Sequence, residues 1–232
     1  MNNYILYAIL ILTGLLGTYA IIPLFRSLLI ESNVLRPNYK KDMIPVSMGI
    51  VFLPMLIINA IILAYFTTNF KDMLHIFIFL FGLVSMFFAG ILDDIIGNRD
   101  VSGLKGHFKS LLNGKLTTGG FKALFGGFIG LVISIVLLFT LGEYTRNLLL
   151  LIFPNVIAYF NQDLKAKAMM GDTGSNVLGI SIGILFVMGY PLKVRLIWLA
   201  FLIFIHILTE KYSLTKIIEN NKFLNFIDKL GR

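Results

Sequence analysis

Cysteine is missing from the 232 residues, and tryptophan occurs once. Without thiols there is no disulfide framework, no cysteine-ligated zinc site and no thiol nucleophile. Charge is scarce as well: Asp and Glu together number 12, and charged residues make up 14% of the chain against 57% hydrophobic. Soluble domains average about 25% charged and about 45–50% apolar residues. A disordered chain is therefore excluded, and an ordinary water-soluble globule is disfavoured. With 21 Phe and a mean hydropathy of +0.86, the composition is that of a protein embedded in a bilayer.

A spanning helix needs about 20 mostly apolar residues. Such stretches fall near Tyr4–Phe25, Ile44–Phe66, Met73–Leu92 and Ala123–Leu141, and three shorter ones near Asn147–Phe160, Val177–Tyr190 and Leu196–Leu208. Pro154 interrupts the fifth, whose ends are the least defined. No strand-length alternation of apolar and polar residues is present, which argues against a β-barrel. The expectation is an all-α fold, a polytopic transmembrane helical bundle of about seven spans over residues 1–210. Residues 211–232 then form a cytoplasmic amphipathic tail. Its Leu214, Ile217, Ile218, Leu224 and Ile227 recur at helical spacing. That pattern suits a helix on the inner leaflet or, equally, a solvated tail packed on the loops. The first stretch has no Lys or Arg ahead of it and no small-residue cleavage site after it, so it reads as a retained helix and not a signal peptide.

Cations fix the expected sidedness. With the N-terminus outside, 16 of the 20 Lys and Arg fall on the cytoplasmic side, leaving only Lys71, Arg146, Lys193 and Arg195 outside. The net charge of +8 thus reflects topology in the cell membrane, with the C-terminus cytoplasmic. No soluble basic face remains for nucleic acid. No span carries an Asp, Glu, Lys or Arg near its middle, which disfavours an ion-coupled transporter. Chemistry is expected at the cytoplasmic helix ends.

Three cytoplasmic segments hold the candidate groups. In Arg36-Pro37-Asn38-Tyr39-Lys40-Lys41, followed by Ile44-Pro45-Val46-Ser47-Met48-Gly49, cations and polar donors precede a span. They suit a phosphorylated headgroup or a plain positive-inside anchor. In Ala89-Gly90-Ile91-Leu92-Asp93-Asp94 two carboxylates close an apolar span. Helical neighbours point about 100° apart, so one carboxylate can face a metal while the other serves another group. Mg²⁺ takes one or two carboxylates plus phosphate oxygens. An acidic pair that merely ends the helix would have to offset its repulsion with the helix C-terminus through a nearby cation. In Gly171-Asp172-Thr173-Gly174-Ser175-Asn176, small residues and hydroxyls open the sixth span. Helix N-termini receive anionic phosphate, although an N-capped helix start looks the same. Between these segments Lys105, His107 and Lys109, and later Lys165 and Lys167, could neutralise a diphosphate, and Asp163 could join a metal or balance those lysines.

Taken together, Ile44-Pro45…Met48-Gly49, Leu92-Asp93-Asp94, Gly103-Leu104-Lys105-Gly106-His107-Phe108-Lys109 and Lys167-Ala168-Met169-Met170-Gly171-Asp172-Thr173-Gly174-Ser175 resemble the polyprenyl-phosphate N-acetylhexosamine-1-phosphate transferases. That superfamily (glycosyltransferase family 4) includes the phospho-N-acetylmuramoyl-pentapeptide transferases. The resemblance implies transfer of a sugar-1-phosphate from a UDP-amino sugar to polyprenyl phosphate at the cytoplasmic face, with release of UMP and a requirement for Mg²⁺. It implies Asp93 and Asp94 as catalytic carboxylates and Asp172 with Asp93 as metal ligands. Lys40, Lys105, His107, Lys109, Lys167 and Asn176 become the substrate contacts. The partners are polyprenyl phosphate, the UDP-amino sugar and membrane lipid, and a homodimer is compatible with the chain. Three features depart from the family pattern: about seven spans against ten or more, no Asn followed by Asp-Gly-x-Asp-Gly on an inner helix end, and no later histidine cluster. They keep a second expectation open, a catalytically impaired relative that binds lipid phosphate or partner proteins as a regulator.

Overall fold

The computed structural model describes residues 3–38, 40–97, 113, 145–212 and 220–222. The expected span Ala123–Leu141 and most of the tail 211–232 lie outside the described residues. What is described is predominantly helical: α1 (Asn3–Glu31), α2 (Phe52–Tyr65), α3 (Phe70–Ile96), α4 (Thr145–Leu164), α5 (Gly171–Gly189) and α6 (Leu192–Lys211). Two three-residue strands, β1 (Leu35–Pro37) and β2 (Met43–Pro45), and a 3₁₀ turn at Met48–Val51 lie between α1 and α2.

Among the described residues five helices are long and apolar enough to cross a membrane: α1, the continuous Met48–Tyr65 segment, α3, α5 and α6. The helix α4, expected as the fifth span, forms over 20 residues with Pro154 inside it but is not one of these five. Seven spans are thus an expectation that the described residues only partly meet. Apolar side chains cover these helices on nearly every side, as hydrocarbon surroundings allow. Tertiary contact therefore selects only a narrow stripe of each. In α1 the buried residues Leu6, Leu10, Gly14, Thr18 and Ile22 recur every fourth position, a single line along the helix.

That line packs on α4 and α2, and α5 packs on α3. Close approach needs small residues, as in other membrane bundles. At Gly14 an added Cβ would lie 2.7 Å from Asn155 Oδ1 and 2.8 Å from Pro154 Cβ. Polar groups bridge the same place: Thr13 Oγ1 donates to Asn59 Oδ1, and Asn59 Nδ2 donates to Leu10 O at 3.0 Å. The ring of Phe52 meets Tyr159 edge-on at 5.7 Å, and Tyr159 donates its hydroxyl to Ala168 O at 3.2 Å. These contacts pin α4 to α2 and to the segment leading into α5.

The second span was expected to begin near Ile44. It begins at Met48 instead, because Ile44 and Pro45 are used in β2, which pairs antiparallel with β1 in the register Leu35↔Pro45, Arg36↔Ile44, Pro37↔Met43. Ser47 then takes a left-handed conformation, φ 66°, which turns the chain into the 3₁₀ start of the span. Asn38 closes the hairpin: its Oδ1 accepts from Lys40 N at 2.8 Å and Asp42 N at 2.9 Å. Asparagine is suited to this task, since a short amide can satisfy loop N–H groups locally.

Candidate functional site

The three described motif segments converge at one end of the bundle. Met169 N donates to Pro45 O at 2.8 Å, Met48 N to Met169 O at 3.0 Å, and Gly49 N to Met170 O at 3.0 Å. The stretch before α5 is thereby laced along the stretch before α2. The carboxyl end of α3 then abuts the amino end of α5. Three positions permit this only as glycine. At Gly90 a Cβ would lie 2.6 Å from Thr173 Cα and 2.7 Å from the Asp172 carbonyl carbon, and at Gly49 it would overlap the backbone of Gly174. Gly171 has φ +72°, and a Cβ there would run into the carboxylate of Asp94.

Asp94 is the centre of the junction. It is 5% exposed. Its Oδ1 accepts from Asp172 N at 2.9 Å, and its Oδ2 accepts from Thr173 N at 2.9 Å and Thr173 Oγ1 at 2.7 Å. A helix N-terminus carries roughly half a positive charge and unpaired N–H groups, and here a carboxylate from another helix satisfies both. The phosphate expected at these amides thus meets a place already filled by Asp94. Arg36 completes the arrangement by donating from Nη2 to the main-chain oxygen of Asp94 at 3.0 Å. A cation on the last turn of α3 is favourable for the same electrostatic reason that an anion is favourable on the first turn of α5. The cost of placing two acids at a helix C-terminus is offset by Arg36 and by the α5 amides, with no metal needed for Asp94.

Asp93 adjoins this clasp in the last turn of α3. It is half-buried on α3, and its Oδ1 lies toward Gly97, at 2.9 Å from where a Cβ of that residue would be. Asp172, also half-buried, sits in the first turn of α5 beside the Asp94 bond. Asp163 Oδ1 accepts from Met170 N at 3.4 Å, which places a further acid beside the entry to α5. Lys40 and Lys167 are both exposed, on the hairpin turn and on the α4–α5 loop. Those two loops meet where Asn38 Nδ2 donates to Ala166 O at 3.4 Å. Asn176 is half-buried on α5, its Nδ2 without a hydrogen-bond partner among the described residues, and the buried Ser47 Oγ is in the same condition. Lys105, His107 and Lys109 lie outside the described residues.

Mg²⁺ can be tested against these groups. Among the described residues no three His, Asp or Glu side chains gather as a metal cluster. Mg²⁺ nevertheless keeps several waters and needs only one or two carboxylates when phosphates supply the rest. Asp94 has its two oxygens committed to three donors, and Asp93 and Asp172 are the two acids that the resemblance implies as metal ligands. Sequence reasoning missed Arg36 and the Thr173 hydroxyl as parts of the junction. The repulsion between paired acids and a helix C-terminus was the signal that could have found Arg36.

The described residues are mostly helical, with five helices long and apolar enough to cross a membrane and an acidic junction where α3 meets α5. No protein-family model matches the chain, and neither does any curated protein sequence.

Proposed function

We propose that this protein transfers a sugar-1-phosphate from a UDP-amino sugar to polyprenyl phosphate at the cytoplasmic face of the cell membrane, for cell-envelope precursor synthesis. The observation that supports the reading is the lacing of Pro45–Gly49, Asp94 and Met169–Thr173 into one junction. These segments are remote in sequence, and they belong to three of the four motifs on which the family resemblance rests.

In the reaction a phosphate oxygen of the lipid attacks the sugar-bearing phosphorus of the nucleotide sugar. A new P–O bond forms, the bond to the UMP oxygen breaks, and UMP leaves with that electron pair. Transfer between two anions depends on positioning and charge neutralisation more than on covalent assistance. Mg²⁺, when bound, neutralises phosphate charge. Asp93 and Asp172 would hold it, Asp94 fixes the α5 start that carries Asp172, and Lys40 and Lys167 offer cations from the two joined loops.

The test is UMP release by the full chain in detergent, given undecaprenyl phosphate, a UDP-N-acetylhexosamine and Mg²⁺. Wild-type release that falls at least about 100-fold in Asp172→Asn, with the helical spectrum retained, supports the reading. A folded wild-type protein that releases no UMP beside an active control transferase refutes it. The commitment of Asp94 to the fold favours one other reading, a catalytically impaired relative that binds lipid phosphate or partners, and the inactive outcome would leave that one standing.

A further inference from the structure

Away from the acidic junction, α6 carries a second feature that the transfer reaction does not use. No part of its spanning segment Leu192–Thr209 is buried in the bundle. At its amino end, however, the surface is shaped. A cavity of about 330 Å³ is lined by Ile197, Trp198 and Phe201. Its tryptophan wall is braced: Phe186 of α5 meets Trp198 at 5.2 Å and stacks on Tyr190 at 4.6 Å, while Trp198 meets Phe201 at 5.4 Å.

Charge lies directly above this groove. Residues four apart share a helix face, so Lys193, Ile197 and Phe201 form one row, with Trp198 beside it. Side chains tilt toward a helix's N-terminus, which carries the ammonium of the exposed Lys193 out past the apolar row. Arg195 is drawn to the same end, because its Nε donates to Tyr190 O at 2.6 Å. That bond uses one of five guanidinium donors. From Thr173 to Thr209 the sequence contains no Asp or Glu to offset these two cations. From Lys193 to Phe201 the helix rises roughly 12 Å, the distance from a lipid phosphate into the upper acyl region.

We propose that the amino-terminal half of α6 binds an anionic phospholipid, its headgroup phosphate held at Lys193 and Arg195 and one acyl chain lying in the groove of Ile197, Trp198 and Phe201. Charge complementarity selects the occupant: a zwitterionic lipid fills the groove equally well but gains little from two cations that no acid between Thr173 and Thr209 offsets, and each cation near a membrane surface favours an anionic lipid about five-fold. The inference is independent of the transfer reaction.

Trp198 is the only tryptophan in the chain, so its fluorescence reports on this groove alone. The full chain is reconstituted in phosphatidylcholine vesicles that contain the same mole fraction of either dibrominated phosphatidylglycerol or dibrominated phosphatidylcholine, the bromines acting as short-range quenchers. Quenching should indicate at least a roughly five-fold preference for the anionic lipid. The preference should fall in Lys193→Gln, fall further in Lys193→Gln with Arg195→Gln, and weaken at about 1 M salt, where charges are screened beyond about 3 Å. Equal quenching by the two lipids, or a preference that both variants and salt leave unchanged, overturns the proposal. So does protection of Trp198 from both lipids that is relieved by diluting protein in lipid, which would assign the groove to a second copy of the chain.

Discussion

Removing the carboxylate of Asp94 tests the junction most directly. In Asp94→Ala three hydrogen bonds to a charged acceptor disappear together, from Asp172 N, Thr173 N and Thr173 Oγ1. Hydrogen bonds to charged groups contribute about 1.5–3 kcal/mol each, and a buried donor left without a partner costs about 1–3 kcal/mol. These do not add, and at 5% exposure water replaces the lost acceptor poorly. The expected destabilisation is about 3–5 kcal/mol, more than one such bond and less than the sum of three. Asp94→Asn keeps one carbonyl oxygen for Thr173 but turns an amide N–H toward that of Asp172, and should cost about 2–3 kcal/mol. Thr173→Val removes the hydroxyl bond alone and should cost about 1–2 kcal/mol. Equilibrium unfolding in mixed detergent micelles, titrated with SDS, ranks the three. The reasoning is refuted if Asp94→Ala stays within about 1 kcal/mol of wild type, or if Thr173→Val costs as much as Asp94→Ala.

Two further outcomes follow from the packing. Gly90→Ala should destabilise by at least about 1–3 kcal/mol, because the added methyl meets the backbone of Asp172 and Thr173 and not a side chain that can rotate away; a thermal melt unchanged from wild type would contradict that contact. His75 is fully buried in α3, and neither ring nitrogen has a hydrogen-bond partner among the described residues. His75→Leu should therefore raise the melting temperature, in line with about 1–3 kcal/mol for an unsatisfied buried polar group, and a lowered one would point to a partner for the imidazole.

Asp94 illustrates how legible the site was. Adjacent acids at the end of an apolar run mark a place where helix-dipole repulsion must be relieved, and that much is readable from the residues. Whether a metal, a cation or another helix relieves it depends on which elements meet. Gly171, Asp172 and Thr173 read as a phosphate cradle because unpaired amides at a helix start attract any anion; the anion that reaches them belongs to the same polypeptide. Asn176 read as a substrate contact, and its half-buried Nδ2 without a partner among the described residues neither adds to that role nor removes it.

Hydropathy and charge are local sums, so the apolar segments of α1, α2, α3, α5 and α6 could be located without any knowledge of their neighbours. Their boundaries were less secure where chain direction changes. The start of the second span moved from Ile44 to Met48 because Pro45 and Ile44 pair with Leu35 and Arg36, a contact invisible to a window of hydropathy. The opposed helix ends, the glycines that let them touch and the guanidinium of Arg36 at the end of α3 emerged only from the packed arrangement. In a bilayer nearly every helix face is apolar, and pattern alone cannot say which face meets protein and which meets lipid. Steric fit between small residues and the pairing of a few polar groups make that choice.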